Sequence, residues 1–139
     1  MSVKSIVVMP VLQRPEFLAL SLEKLSQTPE SKDLDIRIFL DTATDERAAE
    51  VEYVRDVYLP QATISRAGPH IQVLSGCWNI LHALKEGYDS GAELVYLVEE
   101  DVLVRPAFFG YHLQSHLSDN YFVTCGRRHN KMPLDFYSN

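Results

Sequence analysis

Cysteine is scarce in this sequence: Cys77 and Cys125 are the only two among 139 residues. Neither has a second cysteine or a histidine at the spacing of a zinc site, and both thiols are expected to be reduced and buried. Basic charge is also in deficit, with 13 Lys and Arg against 19 Asp and Glu and a net charge of -6. No basic stripe exists to neutralise a run of phosphates, which excludes stable binding to duplex nucleic acid; a phosphate-bearing partner must be small and locally gripped. Long apolar runs are missing. The best candidate, Ile6 to Leu12, is short, is interrupted by Pro10 and leads into Gln13-Arg14-Pro15 without a small-residue cleavage site. It fits a buried strand better than a signal peptide, no membrane span is expected anywhere, and the chain is expected to be cytoplasmic. Glycine-rich phosphate loops are missing too. No G-x-G-x-x-G follows the first strand and no G-x-x-x-x-G-K-S/T occurs, which disfavours a dinucleotide cofactor and a P-loop. The lack of G-x-S-x-G weighs against an α/β-hydrolase.

What is present is a regular alternation of strand and helix patterns. Ser5 to Val11 is a continuous apolar, largely β-branched run, as in a central strand covered on both faces. Pro15 suits a helix's first turn, and Phe17, Leu18, Leu22 and Leu25 form its apolar stripe until Thr28-Pro29. Asp35 to Asp41 is a second strand, and Thr44-Asp45-Glu46 supplies the cap and early acidic charge of a helix reaching about Tyr58. Ala62 to Ala67 is a short strand before the turn Gly68-Pro69-His70. A helix from Leu74 carries Cys77, Trp78, Leu81, Leu84 and Tyr88 at helical spacing and closes at Ser90-Gly91. Leu94 to Val98 is another buried strand, Pro106 opens a helix containing Phe108, Phe109 and Tyr111, and Tyr121 to Cys125 is a last strand. The trace predicts an α/β fold, a mostly parallel sheet flanked by helices on both faces, with ligands outside the carboxyl ends of the strands. Residues 1–126 form the α/β domain, and the polar segment 127–139 is a tail or the start of a further region.

The chemistry is sought at those carboxyl ends. Glu99-Glu100-Asp101 directly follows the strand ending at Val98, and adjacent carboxylates repel one another unless a cation or hydrogen-bond donors balance them. Oxygen ligands favour Mg2+, Mn2+ or Ca2+, completed by water and substrate phosphates. Equally, such acids can simply end a strand and cap a turn. Asp41 ends a neighbouring strand, where it could accept hydrogen bonds from a ribose or base or make an Asx turn with Thr42, Thr44 or Asp45. Arg14, in the loop after the first strand, is placed to meet phosphate oxygens, or is a solvated loop arginine. His70 could edge into the same crevice towards a base, though an isolated histidine is more often a surface group. Cys77 has no cationic neighbour in sequence to make it a catalytic thiolate, and the aromatics are assigned to the core.

The order of features resembles the donor-binding half of GT-A-fold glycosyltransferases: Val7-Val8-Met9-Pro10 with Arg14 after it, Phe39-Leu40-Asp41, His70 before a helix, then Leu97 to Phe109. The last stretch, with its acidic triplet, hydrophobic turn, proline and paired phenylalanines, is similar to the N-acetylglucosaminyltransferase I family and more loosely to family 2 enzymes. Glu100 stands where that family usually has aspartate. The resemblance implies a Rossmann-like half binding a nucleotide-diphosphate sugar, uridine slightly preferred, with a divalent metal, Mn2+ or Mg2+. It assigns Asp101 to the metal, Glu99 and Glu100 to the metal shell and the ribose or sugar, Arg14 to the diphosphate, Asp41 to the nucleoside and His70 to the base. The expected activity is transfer of the sugar to an acceptor hydroxyl, for instance on a glycan, with no residue matched as catalytic base. The alternatives are a non-catalytic or incomplete nucleotide-sugar-binding module, a nucleotidyltransferase, and an interaction domain whose acids are structural.

Overall fold

The computed structural model describes residues 3–12, 14–41, 43–67, 75–119 and 124. The chain divides into two compact units, Met1–Pro106 and Ala107–Asn139. The first contains β1 (Ser5–Val11), α1 (Pro15–Ser26), a 3-10 turn (Pro29–Lys32), β2 (Asp35–Leu40), α2 (Asp45–Tyr58), β3 (Thr63–Arg66), α3 (Ser75–Asp89) and β4 (Leu94–Leu97). The described strands form a four-stranded sheet in the order β3-β2-β1-β4. Every pairing is parallel, with Val8 beside Arg37 and Leu97 and with Phe39 beside Ser65. The α/β prediction holds, with helices flanking a parallel sheet.

The run of apolar residues in β1 is explained by two covered faces. Side chains alternate across a strand, so Ile6 and Val8 project to one side and Val7, Met9 and Val11 to the other; all are buried. Ile6, Val8, Phe39 and Ala83 form one cluster, against which Ala92 and Val95 pack. Right-handed crossovers towards β2 and β3 place α1 and α2 on the opposite face. There α1 buries Leu18, Ser21, Leu22 and Leu25. Pro15 begins α1 as expected, and Thr44 Oγ1 accepts the Arg47 N–H at 3.3 Å to cap α2.

The face of α3 differs from the sequence expectation. Leu81 and Tyr88 are 66% and 81% exposed, Leu84 is also exposed, and Cys77 is a free, exposed thiol rather than a buried one. The buried line is Asn79, Ala83 and Gly87, spaced one helical turn apart. Small residues let the helix approach the sheet closely, which excludes the large apolar residues from the contact. A Cβ on Gly87 would lie 2.7 Å from Val95 Cγ1 and 3.2 Å from Val8 Cγ1. Overpacking of this kind costs about 1–3 kcal/mol against about 1 kcal/mol gained in helix propensity. Gly87→Ala is therefore expected to lower stability in a urea titration; a more stable variant would show that α3 can recede without loss. At the helix end, Gly91 takes φ 69°, a left-handed conformation suited to glycine at a C-cap.

The second unit contains α4 (Phe108–Asp119). Phe108 meets Phe109 and His112 edge-on, with ring centroids 5.1 and 4.7 Å apart. His112 Nδ1 is hydrogen-bonded to Thr124 Oγ1. Burial, with a smaller effect from neighbouring His116, holds the His112 imidazole below its ordinary range. His70, Cys125, the rest of the strand expected at 121–125, the 126/127 boundary and segment 127–139 lie outside the described residues. No helix among the described residues is long and apolar enough to cross a membrane.

Candidate functional site

The site begins with an interruption in the ladder between β1 and β4. The carbonyl of Val8 accepts the Val98 N–H at 3.1 Å, so the even-numbered residues of β1 direct their backbone groups towards β4. That register ends at Val8–Leu97, whereas the β1–β2 register continues to Val11–Leu40 and is extended by the Asp41 N–H on the Val11 carbonyl at 2.9 Å. Pro10, the next even position, has no N–H to leave unpaired. At Leu12, the N–H donates to Glu100 Oε2 at 2.9 Å. A proline in a central strand is tolerated here because its missing donor falls where β4 has already turned away. The opening coincides with the reversal of strand order, since β2 and β3 lie on one side of β1 and β4 on the other. Open parallel sheets bind ligands at such switch points.

The acidic triplet lies in a turn closed by the Val102 N–H on the Glu99 carbonyl at 3.0 Å. Ser21 Oγ on α1 donates to the Val102 carbonyl at 2.8 Å and ties that turn to the helix. Consecutive side chains on a turn diverge, so Glu99 and Asp101 are exposed while Glu100 is 2% exposed. Arg14 Nε donates to Glu100 Oε1 at 2.5 Å, and Arg14 Nη2 approaches Asp101 Oδ2 at 3.4 Å. The guanidinium also lies over the Phe17 ring, 5.2 Å from its centroid. Phe17, expected on the buried stripe of α1, is 44% exposed.

Burial pushes the Glu100 carboxyl above its ordinary range, opposed by Arg14 and by the Leu12 N–H, while the charge of Asp101 adds to the rise. A carboxyl raised in the folded state contributes stability that is full below its unfolded value and is lost as pH rises through the folded one. Arg14 is held above its ordinary value, chiefly by the hydrogen bond and then the charge of Glu100.

The fold thus brings Arg14, Glu100 and Asp101 together and leaves Glu99 facing solvent. Asp41 sits at the end of β2, 4% exposed. Among the described residues no three His, Cys, Asp or Glu side chains converge as a metal-holding group. A single exposed carboxylate fits Mg2+ or Mn2+ in the manner those ions commonly use, with phosphates and water supplying the remaining ligands. Asp101 and Glu99, both exposed, meet that description. Glu100, committed to Leu12 and Arg14, does not.

Sequence reasoning missed Asn79. It is 2% exposed, and its Nδ2 donates to the Phe39 carbonyl at 2.9 Å and reaches the Val11 carbonyl at 3.4 Å, joining the carboxyl ends of β1 and β2. Among the described residues its buried Oδ1 has no hydrogen-bond partner. The available signal was its place one turn before Ala83 and two before Gly87 on a line of small residues.

Fold and site together define a Rossmann-like α/β domain with Arg14, Glu100 and Asp101 gathered at its topological switch point. Comparison with protein-family models and with curated proteins gives no match.

Proposed function

We propose that this domain binds a nucleotide-diphosphate sugar in the crevice between β1 and β4, with a divalent metal on Asp101, and transfers the sugar to an acceptor hydroxyl. The observation that carries this reading is the pairing of Arg14 with Asp101 at the mouth of the switch-point crevice, a guanidinium beside an exposed carboxylate. A diphosphate can use both, the guanidinium directly and the carboxylate through a cation. Its oxygens match the planar donor fork of arginine, which has more N–H groups than its two carboxylate contacts use. Mn2+ or Mg2+ held by Asp101 would offset the charge on the leaving diphosphate. Glu99, facing solvent beside it, is available to ribose or sugar hydroxyls, and the assignment of Asp41, buried at the end of β2, to the nucleoside comes from the resemblance. His70 remains assigned to the base by resemblance alone.

The test is thermal unfolding with and without manganese, against a panel of nucleoside diphosphates and their sugar conjugates. A ligand selective for the folded state at about 100 times its Kd stabilises it by about 2.7 kcal/mol, a shift of several degrees in a domain of this size. A rise that requires both manganese and one diphosphate is expected, and it would name the base. No rise with any pair at saturation would leave the acidic residues as a structural turn. Binding without transfer or donor hydrolysis across a panel of acceptors would assign the domain as a non-catalytic sugar-nucleotide module, and pyrophosphate release from a nucleoside triphosphate and a sugar phosphate would make it a nucleotidyltransferase.

A further inference from the structure

We infer that Glu100 is a positioning residue, which holds Arg14 ready for phosphate and does not itself touch the bound ligand. The inference rests on the diphosphate site proposed above, and it departs from the ribose or sugar contact that family resemblance implies for Glu100. The side chain is 2% exposed, one of the largest buried side chains among the described residues. Oε2 accepts the Leu12 N–H at 2.9 Å and Oε1 accepts Arg14 Nε at 2.5 Å. Both oxygens are therefore engaged with the loop that leaves β1.

The consequence falls on Arg14. Its backbone is restricted by the following Pro15, and its carbonyl accepts the N–H groups of Phe17 and Leu18 as α1 begins, each at 3.1 Å. Glu100 grips the guanidinium at Nε, while the Phe17 ring lies against its face at 5.2 Å. The arginine side chain is still 40% exposed. A long, rotamer-rich side chain is thus ordered before any ligand arrives, so less freedom is lost when it meets a phosphate. Among the three acids the division of labour follows burial: Glu100 points inward and orders Arg14, and Glu99 and Asp101 point outward.

Calorimetry with manganese, using uridine diphosphate and guanosine diphosphate beside their nucleosides, separates a positioning role from direct contact. Glu100→Gln keeps the shape but weakens the grip, so diphosphate affinity should fall about 10- to 100-fold, as when groups that orient a binding residue are altered, with nucleoside affinity unchanged. Arg14→Gln should lose a similar factor, and Glu100→Gln in the Arg14→Gln background should lose nothing further. Equal losses for nucleoside and diphosphate, or additive losses in the double variant, would overturn the positioning role and leave the donor site standing. Failure of the wild-type protein to bind either diphosphate would instead overturn the donor site, and the positioning role with it. If Glu100→Gln does not fold, the Arg14 Nε–H resonance of the wild-type protein carries the test. Slow exchange with water before ligand is added supports prior ordering, and exchange at the rate of a free arginine overturns it.

Discussion

Asp101→Asn should abolish metal-dependent nucleotide binding while leaving the fold as stable as before. The two halves of that expectation have separate causes. The Asp101 carboxylate is 47% exposed and its contact with Arg14 is a long 3.4 Å, so the substitution belongs with surface changes that alter stability by about 0.5 kcal/mol or less. Binding is different because the proposed reading puts the cation on Asp101, and the affinity of hard cations follows the charge of their oxygen ligands. Replacing the carboxylate by a neutral amide should therefore weaken manganese-dependent diphosphate binding by about a hundredfold or more. The residual, manganese-independent binding should equal that of the wild-type protein in chelator, because Arg14 is retained. Calorimetry with manganese or chelator measures both quantities. Unchanged manganese dependence in the variant would remove Asp101 from the site.

The second large effect is on stability and comes from a single atom. Asn79→Asp replaces the Nδ2 donor, 2.9 Å from the Phe39 carbonyl, with a carboxylate oxygen facing that carbonyl and the Val11 carbonyl at 3.4 Å. An uncompensated buried charge costs about 3–5 kcal/mol. Part of this cost is avoided when the new carboxyl is protonated and donates to one of the carbonyls. Its folded pKa is then raised, so the deficit should be smaller near pH 5 and grow as pH rises. Asn79→Leu should be milder, about 1–3 kcal/mol with no such pH dependence, because it removes a donor without introducing a charge. Urea titrations at pH 5 and pH 8 distinguish the two variants. An aspartate variant as stable as the wild type at pH 8 would show that these strand ends do not depend on the amide.

Much of the architecture was legible because its cause is local. β1 could be recognised from an apolar run with no alternation, which only a strand covered on both faces requires; α1 from Pro15 and its leucines; and α2 from the hydroxyl of Thr44 ahead of two acids. The buried face of α3 was not legible for the same reason. Periodicity weighs large apolar residues, and Leu81, Leu84 and Tyr88 share a helical spacing, but the helix faces the sheet through Asn79, Ala83 and Gly87. Close approach, a tertiary property, outweighed hydrophobicity. The 3-10 turn at Pro29–Lys32 also escaped, being too short for any periodic signal.

The candidate site divides along similar lines. That Arg14, Asp41 and the acidic triplet lie at the carboxyl ends of strands follows from the alternation of elements. Which acid turns inward does not. Three successive carboxylates have the same chemistry in sequence, and only the turn after β4 separates buried Glu100 from exposed Glu99 and Asp101. Pro10 was noticed as an interruption in an apolar run, yet its place opposite the departing β4 depends on a register that emerges from pairing residues far apart in the chain.

That distance bears on how the molecule assembles. Leu12 and Glu100 are separated by 88 positions, and Arg14 and Glu100 by 86. These contacts at the switch point therefore close one of the longest loops among the described residues, and closing a loop carries an entropic cost that grows with its length. β1 to β3 and their connecting helices can associate through shorter loops, whereas Arg14 and Glu100 meet only when the late segment has docked beside β1. A ligand bridging the two banks would act as a clasp on that closure, so its stabilising effect would reach the sheet as a whole, and protection of the β1–β4 amides from exchange would rise with occupancy.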